Sequence, residues 1–272
     1  MSGYEEFGNL EQQGWAELSR AVDYVKLFST AADQAIQPLL AAISVSRGMR
    51  VLDLCCGQGN VTTALLAAGC DVVGADFSPA MLLLAKSHLH GATFVEADAQ
   101  DLPFEDGEFD AVVSNFGISH VPDQHRALAE VRRVLRKGGS FAMTVWCGPD
   151  VSPAFRTFRD AVKLCGDPLV RVPDGPDTHR FANRDVATEL LSAADFTDIQ
   201  FDTVDCAWVL SSPSGLAQIF EKATVRAASL MAQQRPAFLA AIRKEMTQRV
   251  RQDFAVGTKW RVPVPAALVM AR

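Results

Sequence analysis

Between Arg50 and Asn60 an apolar run, Val51-Leu52-Asp53-Leu54-Cys55, feeds straight into Gly57-Gln58-Gly59, and a helical pattern follows. A strand that enters a glycine turn and then a helix leaves bare backbone N–H groups at the strand's carboxyl end. That is where α/β folds take up nucleotides. The same grammar repeats downstream. The spacing predicts strand one over 50–55 and its helix over about 60–68, ended by Gly69. Asp71 to Asp76 reads as strand two, with a helix from Pro79 capped by Ser78. Ala92 to Ala97 is strand three, and Phe109 to Ser114 is strand four, followed by a helix from Pro122 to Arg136. Gly138-Gly139 then turns the chain into strand five, Ser140 to Trp146. Strands alternating with helices dictate a parallel sheet with crossover helices.

The flanks follow other patterns. Gly14 to Ser46 is helical, with Trp15, Leu18, Val22 and Val25, then Ile36, Leu39, Leu40 and Ile43, at helical spacing. After strand five come a helix near 153–165, a proline-rich loop from Asp167 to His179, a helix over Arg184–Ala194 and a strand over Ile199–Trp208. Residues 211–255 read as wholly helical, two helices parted at Arg235-Pro236. An apolar strand, Val262 to Met270, ends the chain.

Composition narrows the function classes. The chain is 49% hydrophobic and 21% charged, with a net charge of -6, values that disfavour unaided binding to nucleic acid or anionic membranes. No apolar run approaches the roughly 20 residues a bilayer span needs, so no membrane insertion is expected. The acidic start, Met1 to Glu6, has no signal-peptide character, which predicts a cytoplasmic protein. None of the six cysteines forms a C-x-x-C pair and no H-E-x-x-H occurs, so no metal site is expected. Cys55 and Cys56 read as small buried hydrophobes.

The glycine turn alone admits a nicotinamide dinucleotide. Gly57-Gln58-Gly59 fits the start of G-x-G-x-x-G, Thr62 replaces the third glycine, and Asp76 supplies the acid about 20 residues on. Against it stand Asp53 inside the strand end, a second acid, Asp98, closing strand three, and only two tyrosines, Tyr4 and Tyr24, with no Y-x-x-x-K pair.

Beyond the turn, VLDLCCGQGN, VVGADFS, EADAQDLPFEDGEFDAVVSNFGISHVPD and LAEVRRVLRKGGSFAMTVW follow one another over about residues 45–147. In these motifs the chain resembles the class I S-adenosylmethionine-dependent methyltransferases, in the group around the ubiquinone and menaquinone biosynthesis enzymes. The resemblance implies a Rossmann-like, seven-stranded, mostly parallel sheet whose last strand, VPVPAALVMAR, runs antiparallel. It implies an N-terminal helical lid at 1–46 and a core at 47–210 and 256–272; the helical pattern at 211–255 matches none of the motifs and reads as an insertion before the last strand, expected to form a substrate cap. It also implies S-adenosyl-L-methionine as cofactor and a small-molecule acceptor methylated at oxygen, nitrogen or carbon, in a monomer or homodimer. A nicotinamide-dependent oxidoreductase, or a relative that binds the cofactor without turnover, remains an alternative.

Roles carry over residue by residue. Asp76 would accept both ribose hydroxyls, since an ionised carboxylate has two acceptor oxygens. Gly57 and Gly59 would let the backbone approach the ligand, with Gln58 between them. Asp53 would orient the turn or favour the ammonium group. Asp98, with Ala99 and Gln100, would meet the adenine, and Phe77 and Met81 would pack on its face. Asn115 and Phe116 would lie along the methionine tail, and Tyr24 and Phe28 would belong to the closing lid. Asn115-Phe116-Gly117-Ile118 lacks the two prolines of the element that marks amino-adenine and glutamine methyltransferases. His120 is the candidate base, just past strand four. His179 in the loop and Glu221 in the insertion are candidate substrate residues. Leu216, Phe220, Met231, Met246 and Phe254 form a stripe that suits an apolar pocket wall, ordinary core or a dimer contact.

Overall fold

The computed structural model describes residues 4–272; the sequence reading at Met1 to Gly3 lies outside them. Seven strands form one sheet in the order β3-β2-β1-β4-β5-β10-β6. They are β1 (Arg50–Leu54), β2 (Asp71–Asp76), β3 (Thr93–Glu96), β4 (Phe109–Asn115), β5 (Leu135–Trp146), β6 (Gln200–Val204) and β10 (Ala266–Ala271). The first five run parallel, and β10 is antiparallel to both β5 and β6. Chain order reverses between β1 and β4, which opens a crevice beyond their carboxyl ends.

Both faces of the sheet are covered, as a parallel sheet requires. One face packs Leu52, Leu54, Val112 and Val145 against Leu128, Val131 and Leu191. The other packs Val51, Val72 and Val113 against Leu65, Leu39, Leu40 and Ile43. The helix Ile36–Ala42 therefore belongs to the sheet's covering layer, although the reading from sequence assigned it to the lid. Helical structure also begins earlier than Gly14, at Glu5. Gly138, at φ +78, sits where the β4–β5 register jumps, so the turn expected at Gly138-Gly139 is a bulge within β5.

Two strands expected to be continuous are each divided. Ile199–Trp208 becomes β6 and β7 (Ala207–Leu210); Val262–Met270 becomes β9 (Lys259–Pro263) and β10. With β8 (Ala255–Val256), β7 and β9 make a second sheet of order β7-β9-β8. The two antiparallel pairs form one ribbon that leaves the large sheet at Cys206 and Val264 and enters the small one. Pro263 and Pro265 lack the N–H groups that would continue the ladder through the bend.

The helical segment has two breaks, giving helices Gly215–Lys222, Arg226–Ala232 and Pro236–Asp253. Thr224 makes the extra one: its Oγ1 donates to the Phe220 carbonyl and accepts from the Ala228 N–H, serving both helix ends. These helices and the small sheet share a core of Trp208, Leu216, Phe220, Met231, Ile242 and Met246, which also takes in Phe28, Phe116 and Trp146. Leu216, Met231 and Met246 of the apolar stripe are thus buried packing, and Phe254 is packed against them; only Phe220 reaches the cavity described below. Gln34 fastens the N-terminal helices to the small sheet by pairing with both backbone groups of Ala207, at 3.0 and 2.8 Å. Among the described residues no helix is long and apolar enough to cross a membrane.

Candidate active site

A cavity of about 910 Å³ lies over the carboxyl ends of β1 to β5, roofed by the N-terminal helices and the helices Gly215–Lys222 and Arg226–Ala232. Pockets for single small ligands run from roughly 300 to 1,000 Å³, so this one stands at the large end of that range. Of the residues given cofactor, base or substrate roles from sequence, all but Gly59 and Glu221 line it. Glu221 turns away and forms an ion pair with Arg243 of the next helix. Gly59, at φ +86, serves packing: a Cβ there would stand 2.5 Å from Leu89 Cδ1. Gly57, at φ +55, borders the open side, where a Cβ would meet only Met81 Sδ at 3.9 Å.

Asp76 organises the turn. One carboxylate oxygen accepts from the Gly57 N–H and the other from the Ser78 N–H, each at 2.8 Å. Ser78 in turn caps the following helix by accepting from the Met81 N–H, and its hydroxyl donates to the Trp15 carbonyl at 2.6 Å, tying the lid to β2. Asp53 is buried and accepts from the Thr62 hydroxyl at 2.6 Å, so the residue at the third-glycine position orients it. Asp98 accepts from the backbone and side-chain amides of Gln100. Asn115 accepts from the Thr144 hydroxyl at 2.6 Å and donates to the Ala32 carbonyl.

Electrostatics separate the two halves of the cavity. Asp33, Asp53, Asp76 and Asp98 line the end over β1 to β3, and none forms an ion pair among the described residues. Burial pushes Asp53 up to about 7 against the opposing Thr62 hydrogen bond, and burial also raises Asp33 and Asp76. Asp53 and Asp76 are buried without a cation, while Asp33 and Asp98 stand exposed at the rim, so this end is short of positive charge that a cationic ligand would supply.

The end over β4 and β5 is aromatic. Phe116 and Trp146 stack at 3.7 Å between ring centroids, and Tyr24 stacks on Phe28 at 5.2 Å. A π-helical turn over Tyr24–Phe28 presents both of these rings. Phe155 and Phe220 meet edge to face alongside. His120 lies between the two ends. Its Nδ1 is 2.8 Å from Glu11 Oε2, which also accepts from the Trp15 indole N–H. Burial would lower the His120 pKa, but the Glu11 carboxylate outweighs it and the net shift is upward. The His179 Nδ1 donates to the Trp146 carbonyl at 2.9 Å, and burial pushes its pKa down.

Sequence reasoning passed over several cavity residues: Glu11, Asp33, Asn60, Trp146, Phe155 and Arg226. Glu11 had a legible signal, a carboxylate four residues ahead of Trp15 on one helix face. Asp33 receives the Asn60 side-chain amide at 2.6 Å, a clasp between segments that no local pattern announces.

Residues 52–143 match a family described as a methyltransferase domain. The demethylmenaquinone methyltransferase of Clavibacter sepedonicus is 35% identical over 176 residues, covering 62% of this chain and 72% of that protein. The protein of the same name from Paenarthrobacter aurescens is 32% identical over 170 residues, covering 59% and 67%. Among solved structures, a phosphoethanolamine N-methyltransferase of Haemonchus contortus with S-adenosylhomocysteine bound superposes with a TM-score of 0.53 at 20% identity, covering 87% of this chain and 51% of that one.

Proposed function

The chain belongs to the class I S-adenosylmethionine-dependent methyltransferases, and from that premise we propose that its cavity seats the methyl donor over β1 to β3 and an apolar, ring-bearing acceptor under the cap. The observation that carries this reading is the set of four unpaired acids facing one end of an otherwise aromatic cavity. S-adenosylmethionine brings an ammonium and a sulfonium to such a site and supplies an electrophilic methyl group. A dinucleotide would bring pyrophosphate charges against the same acids, so the nicotinamide alternative is not favoured. Asp76 takes the ribose hydroxyls, Asp98, Ala99 and Gln100 meet the adenine, Phe77 and Met81 cover it, and Asp53 with Asn115 faces the methionine end. Calorimetric titration with S-adenosylmethionine and its demethylated product tests the donor site; absence of binding to either refutes it.

The same titration has a pH signature. Asp53 is protonated below about 7 and ionised above it, and the ionised form attracts the ammonium. Affinity for S-adenosylmethionine therefore rises about tenfold from pH 6 to pH 8, the limit for one proton titrating midway. Asp53→Asn flattens this rise; a wild-type affinity independent of pH removes the role.

The acceptor end is lined by aromatic rings, and two relatives are named for a demethylated menaquinone, a ring-bearing apolar molecule. Catalysis then consists of positioning the acceptor and taking its proton. A carboxylate only accepts, so Nδ1–H of His120 donates to Glu11 and leaves the Nε2 lone pair for the acceptor's proton. His120→Ala should cut turnover by about 100-fold or more while leaving donor affinity within about threefold. Glu11→Gln moves the rising limb of the pH–rate profile to lower pH, because the carboxylate is what raises His120. S-adenosylhomocysteine release reads both, and a limb that stays in place rules out Glu11 as the group that positions the base.

A further inference from the structure

The cavity also holds a cation with no ion-pair partner among the described residues. Arg226 starts the middle cap helix and lines the cavity. Its guanidinium lies 5.3 Å from the Phe7 ring centroid, and Nη2 donates to the Pro173 carbonyl at 3.2 Å. Among the described residues it has no ion-pair partner, whereas Arg235, Arg243 and Arg249 further along the chain each have at least one. Its Nε is buried and finds no acceptor. One neutral carbonyl and an aromatic face leave both the charge and a donor unsatisfied.

The titratable neighbours form no ion pair with it: the carboxylate of Glu11, one helical turn from Phe7, takes His120 and the Trp15 indole on one oxygen and leaves the other without a partner. His120 directs its proton to Glu11, and His179 donates to the Trp146 carbonyl. The charge of Arg226 opposes protonation of both rings. Asp33, Asp53, Asp76 and Asp98 gather over the other end. The cavity is thus polarised, with acids over β1 to β3 and, beside Phe7 and within electrostatic reach of His120 and His179, a guanidinium without an ion-pair partner. An anionic apolar molecule entering it is repelled from the first end and held at the second.

We propose that Arg226 anchors a carboxylate carried by an apolar, ring-bearing acceptor, and so decides which edge of that acceptor faces the donor. This rests on the methyl-transfer reading above. The fork of a guanidinium matches a carboxylate's two oxygens, and the anion supplies the acceptors that Arg226 lacks.

The probes are 2-naphthoate and its neutral analogue 2-naphthalenemethanol, titrated calorimetrically into the full chain with and without saturating S-adenosylhomocysteine. The wild type should prefer naphthoate by about tenfold or more. Arg226→Gln should equalise the two probes, and Arg226→Lys should keep part of the preference, since it retains the charge and loses the fork. Unchanged S-adenosylhomocysteine affinity in both variants shows that the fold and donor end are intact. Equal binding of the probes by wild type, no saturable naphthoate binding, or a preference that survives Arg226→Gln overturns the proposal. Failure of S-adenosylhomocysteine to bind would instead overturn the donor site, and the titrations without it still decide the role of Arg226.

Discussion

Asp76→Ala weakens S-adenosylmethionine binding by at least about 100-fold in a calorimetric titration, a loss of roughly 2.8 kcal/mol. The size follows from the number of groups this carboxylate serves. Its two oxygens hold the Gly57 and Ser78 N–H groups, so removal frees the glycine turn and the entry to the next helix together. In the proposed ligand complex the remaining lone pairs would meet the ribose hydroxyls, and these bonds would be lost as well. Asp76→Asn offers no rescue. One side-chain atom becomes an NH2 group, and it faces a backbone N–H whichever way the amide is turned. A dissociation constant within about threefold of wild type for either variant would remove Asp76 from the ribose site.

The cavity's acidic end was legible because its acids 53, 76 and 98 stand at or just past strand ends. Strand ends are marked by a change from continuous apolar residues to turn residues, and the acids 53, 76 and 98 stand at those changes. The acceptor half has no such marker. Phe28, Trp146, Phe155 and Phe220 come from four separate segments, and each reads locally as one more buried aromatic. The stripe through the cap shows the limit of periodicity: it tells which face of a helix is buried, and cannot distinguish a packed neighbour from a cavity. Leu216, Met231 and Met246 met the first, and Phe220 the second. The divided ribbon was hidden for a related reason. Strand pattern continues through Cys206 and Val264, and the bend depends on which partner each half finds. Glu221 misled in the same way, since its helical position fits either a cavity or a partner, and Arg243 on the neighbouring helix takes it.

Gly117→Ala tests the junction on which both halves depend. Cys55, at the end of β1, and Phe116, just past β4, have φ of +59 and +64, so the two strands turn sharply beside each other at the switch point. Gly117 fills the space between them. Its φ of -83 suits any residue, so an alanine there meets no backbone penalty, and its effect is steric. The added Cβ would overlap the Cys55 Cβ and stand 2.8 Å from its Sγ and 2.9 Å from Ser114 Oγ. None of these belongs to a long side chain that could swing away. Cys55 is locked between β1 and the bond from the Cys56 N–H to the Ala75 carbonyl, so the glycine turn itself must move. Overpacking of this kind costs about 3 kcal/mol. For a chain of this length that corresponds to a melting temperature roughly 6–12 °C lower. Donor binding falls with it, because Gly57 and Asp76 lose their mutual geometry. Cys55→Gly in the same chain is the decisive control. It removes the Cβ that clashes and places glycine at a left-handed φ, so the double variant recovers most of the lost stability and donor affinity. A single Gly117→Ala chain that melts within about 2 °C of wild type and binds the donor normally would mean that β1 and β4 can part without harm to the site.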